Sequence, residues 1–244
     1  MRIKLAILDK KIVIGILALC CLLSLLTGCS NKGQSGGKNP TCNLTELPNN
    51  DNNNDIVDIS ITIDTVKKAK ETDVSLFEYT DVDGGISITG FNGSDEIVVV
   101  PEAINSKDVV LIGENAFVNN DTMKGIKIPS KVQSISMRSF ANCTALEVFV
   151  SGSEVKKIDM YAFNGCKKLH AIELNDGLVT LGGLCFALTN LTEIEIPSSV
   201  TDINYPFTVN DDKHFITVIA ESGSSAEQYV NEKGEEYHLI FQAK

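Results

Sequence analysis

A mainly β solenoid is the fold this sequence predicts, and three regularities predict it. Phe117, Phe140, Phe163 and Phe186 recur every 23 residues. Aliphatic residues recur ahead of them, as Ile112, Ile135, Ile158 and Leu181, and before those as Val109, Val132, Val155 and Leu178. Behind each Phe come Met123, Leu146, Leu169 and Leu191, and then Ile126, Phe149, Ile172 and Ile194. A fixed period this short marks one supersecondary unit copied and stacked, because a single copy cannot bury its own apolar face. At ~4.8 Å per stacked strand, about five rungs give a core some 25 Å long.

The chain opens on an export signal, residues 1–28. Basic residues from Arg2 to Lys11 precede an apolar run, Ile12 to Leu26, that is shorter than the ~20 residues a membrane span needs. The run ends in Leu26-Thr27-Gly28-Cys29, which resembles the lipobox of bacterial lipoproteins. That resemblance implies acylation of Cys29 and an exported protein held at the cell membrane, facing outward. Several acyl chains together anchor stably where one is marginal. An ordinary secretory signal or an uncleaved anchor is the plainer alternative.

Residues 29–55 read as a tether of Ser, Gly, Asn, Lys and Asp, too poor in apolar residues to order themselves. Such a segment spans about 28 Å root-mean-square. Its Asn49–Asp55 run lacks the Gly and distal Glu of a calcium loop. Residues 56–105 predict a β-rich N-terminal cap: a strand over Asp58–Ile63, a short charged helix or turn over Val66–Thr72, a hairpin turning at Asp83-Gly84, and a strand over Val98–Pro101.

The solenoid follows over 106–215. Its unit is written most fully as Val155-x-x-Ile158-x-x-x-Ala162-Phe163-x-x-Cys166-x-x-Leu169-x-x-Ile172-x-Leu174. Small residues precede each Phe (Ala116, Ser139, Ala162, Cys185), as close backbone approach would require. The fourth copy is one residue shorter between Phe186 and Leu191, and a fifth, Val200-x-x-Ile203 to Phe207, is degenerate. The pattern is similar to the BspA-like leucine-rich repeat family, whose units follow an Ile-Gly-x-x-Ala-Phe turn and a Leu-x-x-Ile-x-Ile-Pro strand. Ile112-Gly113-x-x-Ala116-Phe117 and Met123-x-x-Ile126-x-Ile128-Pro129 carry the resemblance.

Residues 216–244 predict a strand–helix–strand C-terminal cap. Ile216–Ala220 is the first strand, Ser224 to Glu227 form a capping box, Gly234 closes the helix, and Tyr237–Phe241 is the last strand. Raw core at the end of a solenoid needs such cover.

Chemistry finds little purchase. No Cys-x-x-Cys motif occurs, and His170, His214 and His238 stand at unrelated places, so neither a metal site, a cofactor nor a catalytic constellation is expected. Cys143 and Cys166 lie one rung apart, within reach of a disulfide but expected as buried free thiols. The net charge of −11, carried beyond the basic leader, argues against nucleic acid. What remains is the strand face. Period-2 alternation turns Lys127, Val150, Glu173 and Glu195 outward, and Lys124, Glu147, His170 and Thr192 form a second column with Glu193 adjacent. Lys124, Lys127, Glu147, His170, Glu173, Glu193 and Glu195 are thus the candidate binding residues.

The family resemblance implies a lipid-anchored surface leucine-rich repeat protein that binds extracellular or envelope proteins, in adhesion or contact with a host or neighbouring cell. The alternative is a structural or housekeeping lipoprotein that binds the cell's own polymer or proteins.

Overall fold

The computed structural model describes residues 61–208 and 214–244. The export signal, the tether with Cys29, and the first half of the strand expected over Asp58–Ile63 lie outside them. The other half of that strand is absent. Thr62 instead caps helix α1 (Ile63–Lys68), its side chain accepting from the Thr65 amide at 3.2 Å. Asp64 in the first turn and Lys67 and Lys68 in the last suit the helix dipole. A 3-10 turn, Val74–Leu76, leads into the predicted hairpin of β1 (Phe77–Val82) and β2 (Gly85–Phe91), with Gly84 at φ 86° in its turn.

Each repeat then lays down two strands. One set is β3 (Ile97–Val99), β6 (Gly125–Lys127), β8 (Val148–Val150) and β10 (Ala171–Glu173), paired in parallel in that order, the last three where alternation foretold them. The other set carries the aliphatic column ahead of each Phe: the long β5 (Lys107–Ile112), then the two-residue β7 (Ser134–Ile135), β9 (Lys157–Ile158), β11 (Thr180–Leu181) and β13 (Asp202–Ile203). They continue the hairpin into one sheet, since β2 pairs in parallel with β5 in the register Ile86 to Val109. The hairpin therefore supplies strands to the solenoid as well as covering its end. The short strand β4 (Ala103–Ile104) pairs antiparallel with β5.

A third line of bonds runs beside the aromatic column. The amides of Phe117, Phe140, Phe163 and Phe186 donate to the carbonyls of Ser139, Ala162, Cys185 and Pro206 at 2.7 to 2.8 Å. Backbone does pass closely at the small residues, all of them buried. Phe117, Phe140, Phe163 and Phe186 stack with centroids 5.0, 5.1 and 5.8 Å apart. Phe91 and Phe207 extend the stack at its two ends. Each Phe sits between two left-handed corners: Asn115, Arg138, Tyr161 and Leu184 two residues before, and Asn119, Asn142, Gly165 and Leu188 two residues after. These corners let the chain turn sharply about the buried ring.

The ladder breaks at the fourth copy, the one that is a residue shorter between Phe186 and Leu191. β12 (Glu193–Glu195) does not join the β10 ladder and instead starts a second parallel sheet with β14 (Ile216–Ala220) and β15 (Leu239–Ala243). β14 and β15 are joined by helix α2 (Ser225–Tyr237). Ser224 accepts from the Glu227 amide at 3.3 Å, while the Glu227 carboxylate accepts from the Gly223 amide at 2.6 Å. The helix does not stop at Gly234. It runs on to Tyr237, and His238 closes it at φ 53° with its N–H on the Gly234 carbonyl. Gly234 serves instead to admit the returning strand, because a Cβ there would stand 2.9 Å from the Leu239 carbonyl oxygen.

Candidate interaction surface

The strand face is not the open surface that alternation alone implies. On β6, β8 and β10, period 2 does turn Gly125, Val148, Ala171, Lys127, Val150 and Glu173 away from the main core. Helix α1 lies across them, packed against β3, β6, β8 and β10. Ile61, Val66, Val148 and Val150 form a small second core, with Ile63, Ile97 and Ala171 around it. Val150, expected to face water, is 2% exposed. A Cβ on Gly125 would stand 2.6 Å from Val66 Cγ2, so only glycine lets the helix sit this close. The residue after Val66 completes the contact: Lys67 Nζ reaches Glu173 Oε2 at 2.6 Å. Past the helix, Thr72 exchanges two bonds of 3.0 Å with Val99 and seals the outer edge of β3.

The candidate binding residues divide accordingly. Glu173 is held by Lys67, Lys124 bonds Glu96 at 2.7 Å, and Glu195 pairs with Lys244, whose ammonium that carboxylate holds above its usual range. Lys127 and Glu147 are half-buried. His170 and Glu193 are exposed, with His170 Nδ1 3.1 Å from the Lys168 carbonyl oxygen. His170 and Ala171 line an open hollow of about 420 Å³ together with Ile61, Thr62, Ile63 and Asp64. The candidates thus share a face, but its first half is already occupied by the chain itself.

Beyond β10 the same face is open. Register aligns Glu193 with Thr217 and Ile240, and Glu195 with Ile219 and Gln242. Ile240 is 50% exposed. The sequence predicts a short helix or turn over Val66–Thr72, but the start of α1 at Ile63, its docking on Gly125 and Val148, and the Thr217–Ile240 pair are not legible in it. The available signal was Val148-Phe149-Val150, an unbroken apolar run that marks a strand buried on both faces.

The histidines and cysteines take separate structural places. His214 Nε2 lies 2.8 Å from the Leu191 carbonyl oxygen, and His238 caps α2 with its ring against Phe215. Cys143, Cys166 and Cys185 are buried free thiols. Cys143 and Cys166 donate to the carbonyls of Phe117 and Phe140, one rung back, at 3.0 and 3.1 Å. Among the described residues no His, Cys, Asp and Glu gather in metal-binding geometry, and no helix is long and apolar enough to cross a membrane.

Comparison with known proteins agrees with this architecture. Residues 100–211 match the BspA type leucine rich repeat region, in six copies. The leucine-rich repeat protein of T. pallidum is 26% identical over 62% of this chain and 71% of its own, with a TM-score of 0.55. A leucine-rich repeat protein from Bacteroides ovatus ATCC 8483 is 24% identical over 62% of this chain, with a TM-score of 0.48, and the match spans 47% of that protein's length. No curated protein matches this sequence.

Proposed function

Residues 100–211 of this chain belong to the BspA-type leucine-rich repeat family, and from that premise we propose a lipid-anchored surface protein that binds protein partners in adhesion or cell contact. The observation that carries the binding reading is the outer sheet face. Its first half already holds a segment of the chain through a buried apolar contact and a lysine–glutamate pair, and its second half is uncovered. Stacked repeats offer extended surfaces of this kind. Anchoring rests on Leu26-Thr27-Gly28-Cys29 behind a basic and apolar leader.

The alternative is an envelope component that binds the cell's own polymer or proteins. The tether favours it, since a reach of about 28 Å keeps partners close to the membrane.

Two experiments test the proposal. Labelled fatty acid should enter the protein and be lost in Cys29→Ser, and label that persists in the variant overturns the anchor. The full-length protein in detergent should capture a host extracellular protein saturably. Capture of an envelope component alone moves the protein to the alternative, and capture of nothing removes the binding reading.

A further inference from the structure

The two halves of the outer face lie on neighbouring parallel sheets, β12 standing beside β10, and the occupied half shows what such a face accepts. α1 sets Ile63 and Val66, one turn apart, onto an apolar strip, with Ile61 before them. Its Lys67 then meets an acidic residue at the strip's margin. That acidic residue, Glu173, ends the paired column Lys127, Val150, Glu173. One repeat further along the sequence pattern stand Glu193 and Glu195, on β12 beside β10 but outside its ladder.

Past β12 the face carries two isoleucines, Ile219 and Ile240, beside Thr217 and Gln242. Thr217 and Ile219 on β14 and Ile240 on β15 point the same way as Glu193 and Glu195, because Ile216, Val218, Ala220 and Leu239 point into the core. Isoleucines bordered by carboxylates therefore recur where α1 does not reach, with Thr217 and Gln242 between them.

We propose that this open half, bounded by Glu193, Glu195, Ile219 and Ile240, docks a short amphipathic helix with lysine or arginine on its flank, supplied by a partner protein. The proposal rests on the protein-binding reading above and names the partner's chemistry. Two observations select the occupant. The face adjoins, across β10 and β12, one that already holds a helix of that pattern, and its Glu193 and Glu195 carboxylates complement a basic flank. Helix-in-groove recognition uses apolar anchors at this i, i+3 spacing. The pairing of Glu195 with Lys244 is no obstacle, since exposed pairs of this kind exchange partners at little cost.

The probe is a fluorescent peptide copying residues 61–70, which carries the α1 pattern with Lys67, Lys68 and Lys70, titrated against the full-length protein. Saturable binding is expected, weakened about tenfold or more by Ile240→Lys and by Glu193→Lys. Ile240→Thr, a milder change at a half-exposed site, should weaken it less and keeps the test valid if the lysine variant unfolds. A peptide with glutamate at the three lysine positions should not bind. Gly125→Val, which closes the α1 site, should leave binding intact.

Three results overturn the proposal: no saturable binding, binding indifferent to Ile240 and Glu193, or binding abolished by Gly125→Val, which would mean exchange with α1. Partners captured equally well by wild type and Ile240→Lys would also sink it, while leaving the protein-binding reading in place.

Discussion

The ring centroids of Phe140 and Phe163 lie 5.1 Å apart with only 6° between the planes, and Phe149 meets Phe163 edge to face with centroids 4.7 Å apart. All three are fully buried, so the 23-residue period is a physical stack and not merely a pattern of letters. Truncating either stacked ring leaves a cavity that rungs hydrogen-bonded on both sides cannot close. Phe140→Ala or Phe163→Ala should cost about 3–5 kcal/mol, read by thermal or denaturant unfolding. Unchanged unfolding in both would mean that the stack is not formed.

The left-handed corners make a prediction of opposite sign. Leu188 holds φ 57° where the equivalent residues are Asn119, Asn142 and Gly165, and its side chain is 50% exposed. A leucine there bears the steric cost of its Cβ and gains little burial in return. Leu188→Asn should stabilise the protein by about 1 kcal/mol, raising Tm by about 2–4 °C. A lowered Tm would show that the leucine side chain makes a contact worth more than the strain.

Thiol chemistry should be silent in the native state. Burial pushes the Cys166 and Cys185 thiols well above their usual range, and Cys143 and Cys166 are further occupied as donors to carbonyls. Alkylation followed by peptide mapping should leave Cys143, Cys166 and Cys185 unmodified until denaturant is added, then modify all three. A Cys143–Cys166 disulfide, seen as a mass lower by two hydrogens, would contradict this arrangement.

Asp159 gives the stability a pH dependence of known sign. Burial raises its pKa, but the Lys157 ammonium at 2.9 Å and the Met160 amide at 2.8 Å outweigh that and hold it below the usual carboxylate value. A depressed folded pKa means stabilisation that is complete above the unfolded value and lost as pH falls through the folded one. Asp159→Asn should therefore be less stable than wild type at neutral pH, by about 1 kcal/mol or less given its exposure. The gap should close as pH falls below about 4. A gap that widens in acid would assign Asp159 the wrong charge partner.

Much of this architecture was legible in the sequence because it repeats. The aromatic column, the three-residue strands around Ile126, Phe149, Ile172 and Ile194, and the first strand of the terminal cap all declare themselves by period. The two-residue strands at Ser134–Ile135 and Lys157–Ile158 do not, since two residues are too few to show alternation. Gly234 misled because glycine marks helix ends more often than it marks close packing against a strand. The largest omission was the docking of α1 on the outer sheet face. Its ten-residue neighbourhood occurs once, so no period exposes it, and the face it covers reads as solvated when Glu173 and Glu195 are weighed above Val148 and Val150. Among the candidate binding residues, Lys127 and Glu173 do stand in one strand column with Val150, but that Lys67, Glu96 and Lys244 reach Glu173, Lys124 and Glu195 from distant parts of the chain was not legible.

The central claim is that the chain covers half of its own outer face and leaves the other half for a partner. The direct measurement is amide hydrogen exchange over residues 61–72 in wild type and Gly125→Val. A valine at 125 cannot coexist with Val66 in its present place, so the account predicts slow exchange at Val66 and Thr72 in wild type. In the variant, protection should be lost over this segment alone, with β8 and β10 still protected. Fast exchange of α1 in wild type, or unchanged protection in the variant, would show that the helix does not hold this face.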